Sequence, residues 1–138
     1  MQCLENMSYK IVTNKEAVEI ELAAMSRVKT VKLLSGAWDE PYALACVVFD
    51  NVMADAELHE RAADIWFVRK GSAKFILGGE LKNPISLRKG EKTAASIAGG
   101  KEQEVAEGDV IDIPPGVPHQ IDARGGRIEL LIVKVNRL

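Results

Sequence analysis

Short runs of strand-forming residues, broken by glycine and proline, succeed one another from Val28 to Val135, and this rhythm limits what the chain can become. Val28 to Leu34 alternates loosely between apolar and polar residues. Tyr42 to Phe49 is a compact apolar run. Ile65 to Val68 ends at Arg69-Lys70-Gly71, and Lys74 to Leu77 ends at Gly78-Gly79, which predicts a hairpin meander with a turn at each glycine site. Val110 to Ile113 leads into Pro114-Pro115-Gly116. A short segment then runs from Pro118 to Ala123, and Arg127 to Val135 closes the series. In that last run Ile128, Leu130 and Ile132 share one face, with Leu131 and Val133 on the other, so both faces need cover. There is no strand–helix–strand alternation. The predicted class is therefore all-β, an antiparallel sandwich or barrel.

One stretch carries helical periodicity. Thr13 or Asn14 can cap it, and Glu16 places a negative charge in its first turn, where the helix dipole favours one. Val18, Leu22 and Met25 then form an apolar stripe flanked by Ala17 and Ala24, with Arg27 near the end. The stripe is expected to pack on the sheet and to cover the last strand. From Glu80 to Gly100 the text is polar and punctuated by Pro84, Gly90, Gly99 and Gly100. A structureless excursion from the barrel is expected there, as a flap over its mouth or as a surface insertion.

The chain has 138 residues, enough for one domain with a continuous core. Eighteen basic against twenty acidic residues leave a net charge of -2, which gives no reason to expect a nucleic-acid partner. No apolar stretch has the length of a membrane span, no secretory leader is legible, and the expected location is the cytoplasm. Cys3 falls in a loose N-terminal segment, and Cys46 reads as a small buried hydrophobe rather than half of a disulfide. No glycine-rich phosphate or dinucleotide loop is present.

Chemistry concentrates around the only two histidines, His59 and His119. Glu57 lies two residues before His59, so on a strand both side chains face the same way. Asp64 opens the following run and can reach the same point. Trp66 and Phe67 face opposite sides, one as pocket wall and the other as core or interface. Gln120, beside His119, either meets a ligand in the pocket or points outwards. Arg69, Lys70 and Lys74 read as a solvated face.

The stretch from Glu57 to Gly71 resembles the first sequence motif of the cupins: a His-x-His pair, a carboxylate after a short gap, and a glycine seven residues further on. His59 matches the second histidine, Asp64 the carboxylate and Gly71 the glycine. Gly108 to His119 resembles the second motif, with its opening glycine, its Pro-x-Gly turn and a histidine three residues after the second glycine. Glu57 stands where the first histidine belongs, Asp64 where glutamate is usual, and Ala123 in the slot of a terminal asparagine. The resemblance covers about Tyr42 to Val135.

It implies a double-stranded β-helix, or jelly-roll, barrel with one N-terminal helix, a tail over residues 1–12 and one cupin domain over 13–138. It also implies a divalent metal inside the barrel, held by His59, Asp64 and His119 with Glu57 as a fourth candidate. Two imidazoles and a carboxylate suit non-haem Fe(II), and equally Zn, Mn or Ni. The other reading of the same residues is a vestigial pocket in which His59 and Asp64 are merely hydrogen-bonded. Strand edges of such barrels favour pairing, so a homodimer is expected. Three functions follow: a metal-dependent enzyme of dioxygenase, isomerase or decarboxylase type acting on a small organic molecule, a non-catalytic small-molecule sensor, or an interaction domain with an inactive pocket.

Overall fold

The computed structural model describes residues 9–137; Cys3 and the first residues of the predicted tail lie outside that range. Helix α1 spans Asn14–Ala23. Of the two candidates Thr13 is the cap, its Oγ1 accepting from the Glu16 backbone N–H at 3.1 Å, and Asn14 is the first helical residue. The buried face differs from the predicted one. Ala17, Glu21 and Ala24 face inwards, whereas Leu22 and Met25 are 64% and 56% exposed. Polar anchors decide the rotation. Arg69 Nε donates to Glu21 at 2.7 Å and its Nη2 to Asn14 at 2.8 Å, while Arg127 Nη2 donates to the Glu21 carbonyl at 2.6 Å. Arg69 is thus a helix anchor rather than part of a solvated face. The alanines let the helix approach closely.

Strands β1 (Lys29–Gly36) and β2 (Tyr42–Asp50) pair antiparallel, and β2 pairs on its other edge with the last strand, β12 (Arg127–Asn136). On β2, Ala45, Val47 and Phe49 enter the core, while Cys46 and Val48 on the opposite face are buried on the side where α1 packs. The helix therefore covers β2, and reaches β12 through Arg127 rather than lying over it.

The central element is β4 (Ala62–Leu77), 16 residues long. Its first part pairs with β12 on one edge and with β10 (Val110–Ile113) on the other. Its second part pairs with β9 (Lys101–Ala106) and β11 (His119–Asp122). The predicted hairpin turn at Gly71 is thus a bend within one strand, which passes from one sheet to the other. Gly71 has φ +81°, and a Cβ there would sit 1.9 Å from the Arg127 carbonyl oxygen. Close backbone approach requires glycine here, and a register shift between Glu129 and Leu130 accompanies the bend.

The polar stretch after Gly79 is not structureless. It forms β5 (Glu80–Leu81), β6 (Ile85–Arg88), β7 (Glu91–Ala94) and β8 (Ile97–Ala98). β7 pairs with β3 (Ala56–His59) and extends the second sheet. β6 is exposed throughout, and β9 buries only Val105, so neither leaves an apolar alternation to read. The core gathers Val47, Phe49, Trp66, Phe75, Ile113, Ile121, Ile128 and Leu130 between the two sheets. Each large apolar side chain so buried contributes about 1.5–3 kcal/mol of transfer free energy.

Candidate metal centre

The two halves of the predicted site meet through the backbone. Gly116, at φ +80° in the proline-rich turn, donates its N–H to the His59 carbonyl at 2.7 Å. His119 then begins β11 directly opposite Glu57 of β3. The imidazole centroids of His59 and His119 lie 5.1 Å apart. Asp64, third residue of β4, completes a buried trio whose potential ligand atoms all lie within 4.8 Å of one another.

The far nitrogen of each ring fixes its tautomer. His59 Nδ1 lies 2.8 and 2.9 Å from the two carboxylate oxygens of Glu91. A carboxylate accepts only, so Nδ1 carries hydrogen and Nε2 offers a lone pair in the neutral ring. His119 Nδ1 donates to the Val117 carbonyl at 3.1 Å, which leaves its Nε2 free as well. Lys134 Nζ also sits 3.4 Å from His59 Nδ1, but both are donors, so its hydrogen bond goes to Glu91 Oε1, at the same distance. His59 Nε2 lies 3.4 Å from Asp64 Oδ2.

Two atoms of the trio, His119 Nε2 and Asp64 Oδ1, are buried with no hydrogen-bond partner. Leaving a buried acceptor unsatisfied costs about 1–3 kcal/mol. Two imidazole lone pairs and a carboxylate oxygen, oriented from behind by a carboxylate and a carbonyl, are a donor set that a divalent cation satisfies. The residues fit such an ion.

Electrostatics sort the three groups. Burial pulls the His59 pKa down, but the hydrogen bond and charge of Asp64, aided by Glu91, outweigh it and hold it above the ordinary value. For Asp64 burial pushes upward, and the hydrogen bond and charge of His59 prevail, so it stays below the usual carboxylate range. Burial dominates at His119, with the charge of His59 adding to it, and lowers its pKa against the opposing Val117 bond. His119 is accordingly neutral near pH 7.

Glu57 sits at the rim. Its Oε2 is 3.9 Å from His59 Nε2, and it lines a cavity of about 410 Å³ with Phe49, Val52, Met53 and Thr93. Trp66 is buried edge-on to His119 and donates from Nε1 to Asp64 Oδ2 at 3.4 Å, while Phe67 on the other face of β4 is partly exposed. Phe75 stacks parallel to the His119 ring at 6.5 Å. Gln120 is buried, and its Nε2 donates to the carbonyls of Ala54 and Ala95, tying the ends of β3 and β7 together.

Sequence reasoning missed two participants. Glu91 lay in the stretch read as an excursion, where nothing separates it from other surface glutamates. Lys134 left a signal: it continues the inward face of Ile128, Leu130 and Ile132, a lone cation in a core register.

The arrangement, an antiparallel barrel with a histidine–carboxylate cluster between its sheets, is that of the cupin fold. No family model matches the chain, and no curated protein sequence matches it. Among solved structures it is similar to KdgF from Halomonas sp., with a TM-score of 0.58 and 17% identity over 83% of this chain and 84% of that one. It is likewise similar to the DMSP lyase DddQ from Ruegeria pomeroyi, with a TM-score of 0.58 and 15% identity over 100% of this chain and 56% of that one. The cupin domain of Cnp3 from Schizosaccharomyces pombe gives 0.57 and 8% over 78% and 61%. The chain thus spans little more than half of DddQ. These likenesses establish the cupin fold, as the two motifs implied.

Proposed function

We propose that this chain is a metal-dependent cupin in which His59, His119 and Asp64 hold one divalent cation, Fe, Zn, Mn or Ni, and Glu57 supplies a fourth ligand. The observation that carries the reading is the buried convergence of His59, His119 and Asp64, whose potential ligand atoms lie within 4.8 Å of one another while both Nδ1 atoms are already engaged. A cation there supplies Lewis acidity toward a bound oxygen atom or lowers the pKa of a bound water. The residues of the chain orient that ion, exclude water with Trp66 and Phe75, and leave the Glu57 rim as the approach for a small organic molecule. DddQ, a DMSP lyase, shows that this fold hosts reactions on small molecules; the fold itself does not carry the reaction over.

A second reading is a small-molecule-binding cupin without turnover. It draws on Glu57 in a histidine slot and on the contact between His59 and Asp64, which gives both groups a partner without any metal. The deciding experiment is metal analysis of protein purified without added metal, followed by titration with each ion. Stoichiometric metal that is lost in His59→Ala and His119→Ala supports the first reading. No uptake by the wild type overturns it, and saturable metal without turnover across a panel of small organic acids, alcohols and sulfonium compounds favours the second.

The same reading includes a homodimer. Strand β1 is the edge of its sheet, and Val31 and Leu33 on it are exposed. Light scattering at micromolar concentration should give twice the chain mass, and Val31→Lys should restore a monomer.

A further inference from the structure

A second cavity, of about 550 Å³, opens on the opposite side of His59 from the Glu57 rim. Its floor is Glu91 and Lys134, the two residues on the Nδ1 side of that ring. Arg61, Arg88, Lys89 and Arg137 surround the floor, so with Lys134 the lining carries five cations against Asp39 and Glu91. The charge of Glu91 is already shared among His59, Lys134 and Arg88. Among the described residues, Arg61, Lys89 and Arg137 form no ion pair. The cleft therefore has uncompensated positive charge around a cation, Lys134, that is only 8% exposed.

The walls are held before any ligand arrives. Asn136 Nδ2 donates to the carbonyls of Trp38 and Glu40, which pins the loop carrying the Trp38 ring. Arg137 N donates to the Arg61 carbonyl at 2.7 Å, and Glu60 N to the Gly90 carbonyl at 2.8 Å. The Arg61 stem passes within van der Waals distance of the place a Gly90 Cβ would occupy. A pocket of this size with one aromatic wall and several convergent cations is suited to a small molecule that is apolar at one end and anionic at the other.

We propose that the cleft behind His59 binds the oxyanion group of a small organic molecule, held by Arg61, Arg88 and Lys134 with the Trp38 ring against its carbon skeleton. The site goes beyond the metal centre and does not need it. Guanidinium forks match carboxylate and phosphate oxygens in pairs, and the surplus positive charge draws the anion in at low ionic strength. Carboxylate and phosphate share the recognition chemistry, and titration with each separates them.

The test uses the full chain stripped of metal on a chelating resin. Calorimetric titration with butyrate and with inorganic phosphate at low ionic strength should give saturable one-to-one binding of at least one, and butyrate, which has a carbon skeleton, should also give a Trp38 fluorescence change that Trp38→Phe abolishes. Arg61→Gln and Arg88→Gln, both exposed and safe for folding, should each weaken binding about tenfold. Arg124→Gln, on a distant surface, should leave it unchanged. Lys134→Met should weaken it further, and if that variant fails to fold the two arginine variants still decide. Absence of saturable binding of either anion up to about 10 mM, an affinity weaker than any useful site, overturns the proposal. So does binding that Arg61→Gln and Arg88→Gln leave intact. Because no metal is present, neither result depends on the centre on the other side of His59.

Discussion

Glu91 grips Nδ1 of His59 with both carboxylate oxygens, at 2.8 and 2.9 Å, across a separation of 32 residues. This contact sets which nitrogen of His59 faces Asp64 and His119. Glu91→Gln keeps the shape but lets the amide either donate or accept, so the Nε2 lone pair is no longer enforced. Metal affinity should fall about 10–100-fold, the usual effect of losing a partner behind a ligand. Chelator competition measures it, and an unchanged affinity would show that Glu91 does not orient the ring for a metal.

His119 makes a contrast between two states. Its Nε2 is buried without a partner while its Nδ1 bonds the Val117 carbonyl, so in metal-free protein the relief at Nε2 should offset the lost bond and His119→Leu should change stability by no more than about 1 kcal/mol. The metal-dependent rise in stability, about 2.7 kcal/mol at a ligand concentration of a hundred times Kd, should vanish in the same variant. Thermal unfolding with and without added metal reads both quantities. A His119→Leu protein that is still stabilised by metal would remove the residue from the ligand set.

Metal affinity should depend on pH with a definite sign. The His59 pKa is held above its ordinary value of 6.5, and a metal must displace that proton. His119 is depressed, so it is already neutral and releases none near pH 7. Asp64 is depressed too and stays ionised. As pH falls below the His59 value, apparent affinity should drop by about tenfold per unit, and above it the affinity should level off. Calorimetry in buffers of different ionisation enthalpy counts the proton released. No proton release at pH 6 would contradict the assignment.

Gly71 can be tested without any ligand. At φ +81° and with the Arg127 oxygen where a Cβ would go, Gly71→Ala combines an unfavourable backbone with a hard clash. A loss on the order of 3 kcal/mol is expected from strain and backbone displacement together. Urea unfolding measures it. A loss below about 1 kcal/mol would mean the β4–β12 bend tolerates a side chain.

Legible in the residues alone were the alternation of the main strands and a helix start at Thr13 or Asn14; His59, Asp64 and His119 were marked as one site only through the resemblance of two motifs, and the folded chain brings them together. Alternation at two residues is a local property of a half-buried strand, and the glycines and prolines of the two motifs act on their own neighbours. The remaining features came from contacts between distant segments. Residues of β6, β7 and β9 are mostly exposed or half-buried, and become strands because partner edges offer hydrogen bonds, which leaves no apolar pattern in the text. Helix α1 turned Glu21 inward instead of Leu22 because Arg69, 48 residues away, supplies the charge that makes burying a carboxylate tolerable. Glu91 reached His59 for the same kind of reason: the pairing of β3 with β7 sets it opposite the ring. Contacts between distant segments depend on how the sheets close, and no spacing along the chain encodes that closure.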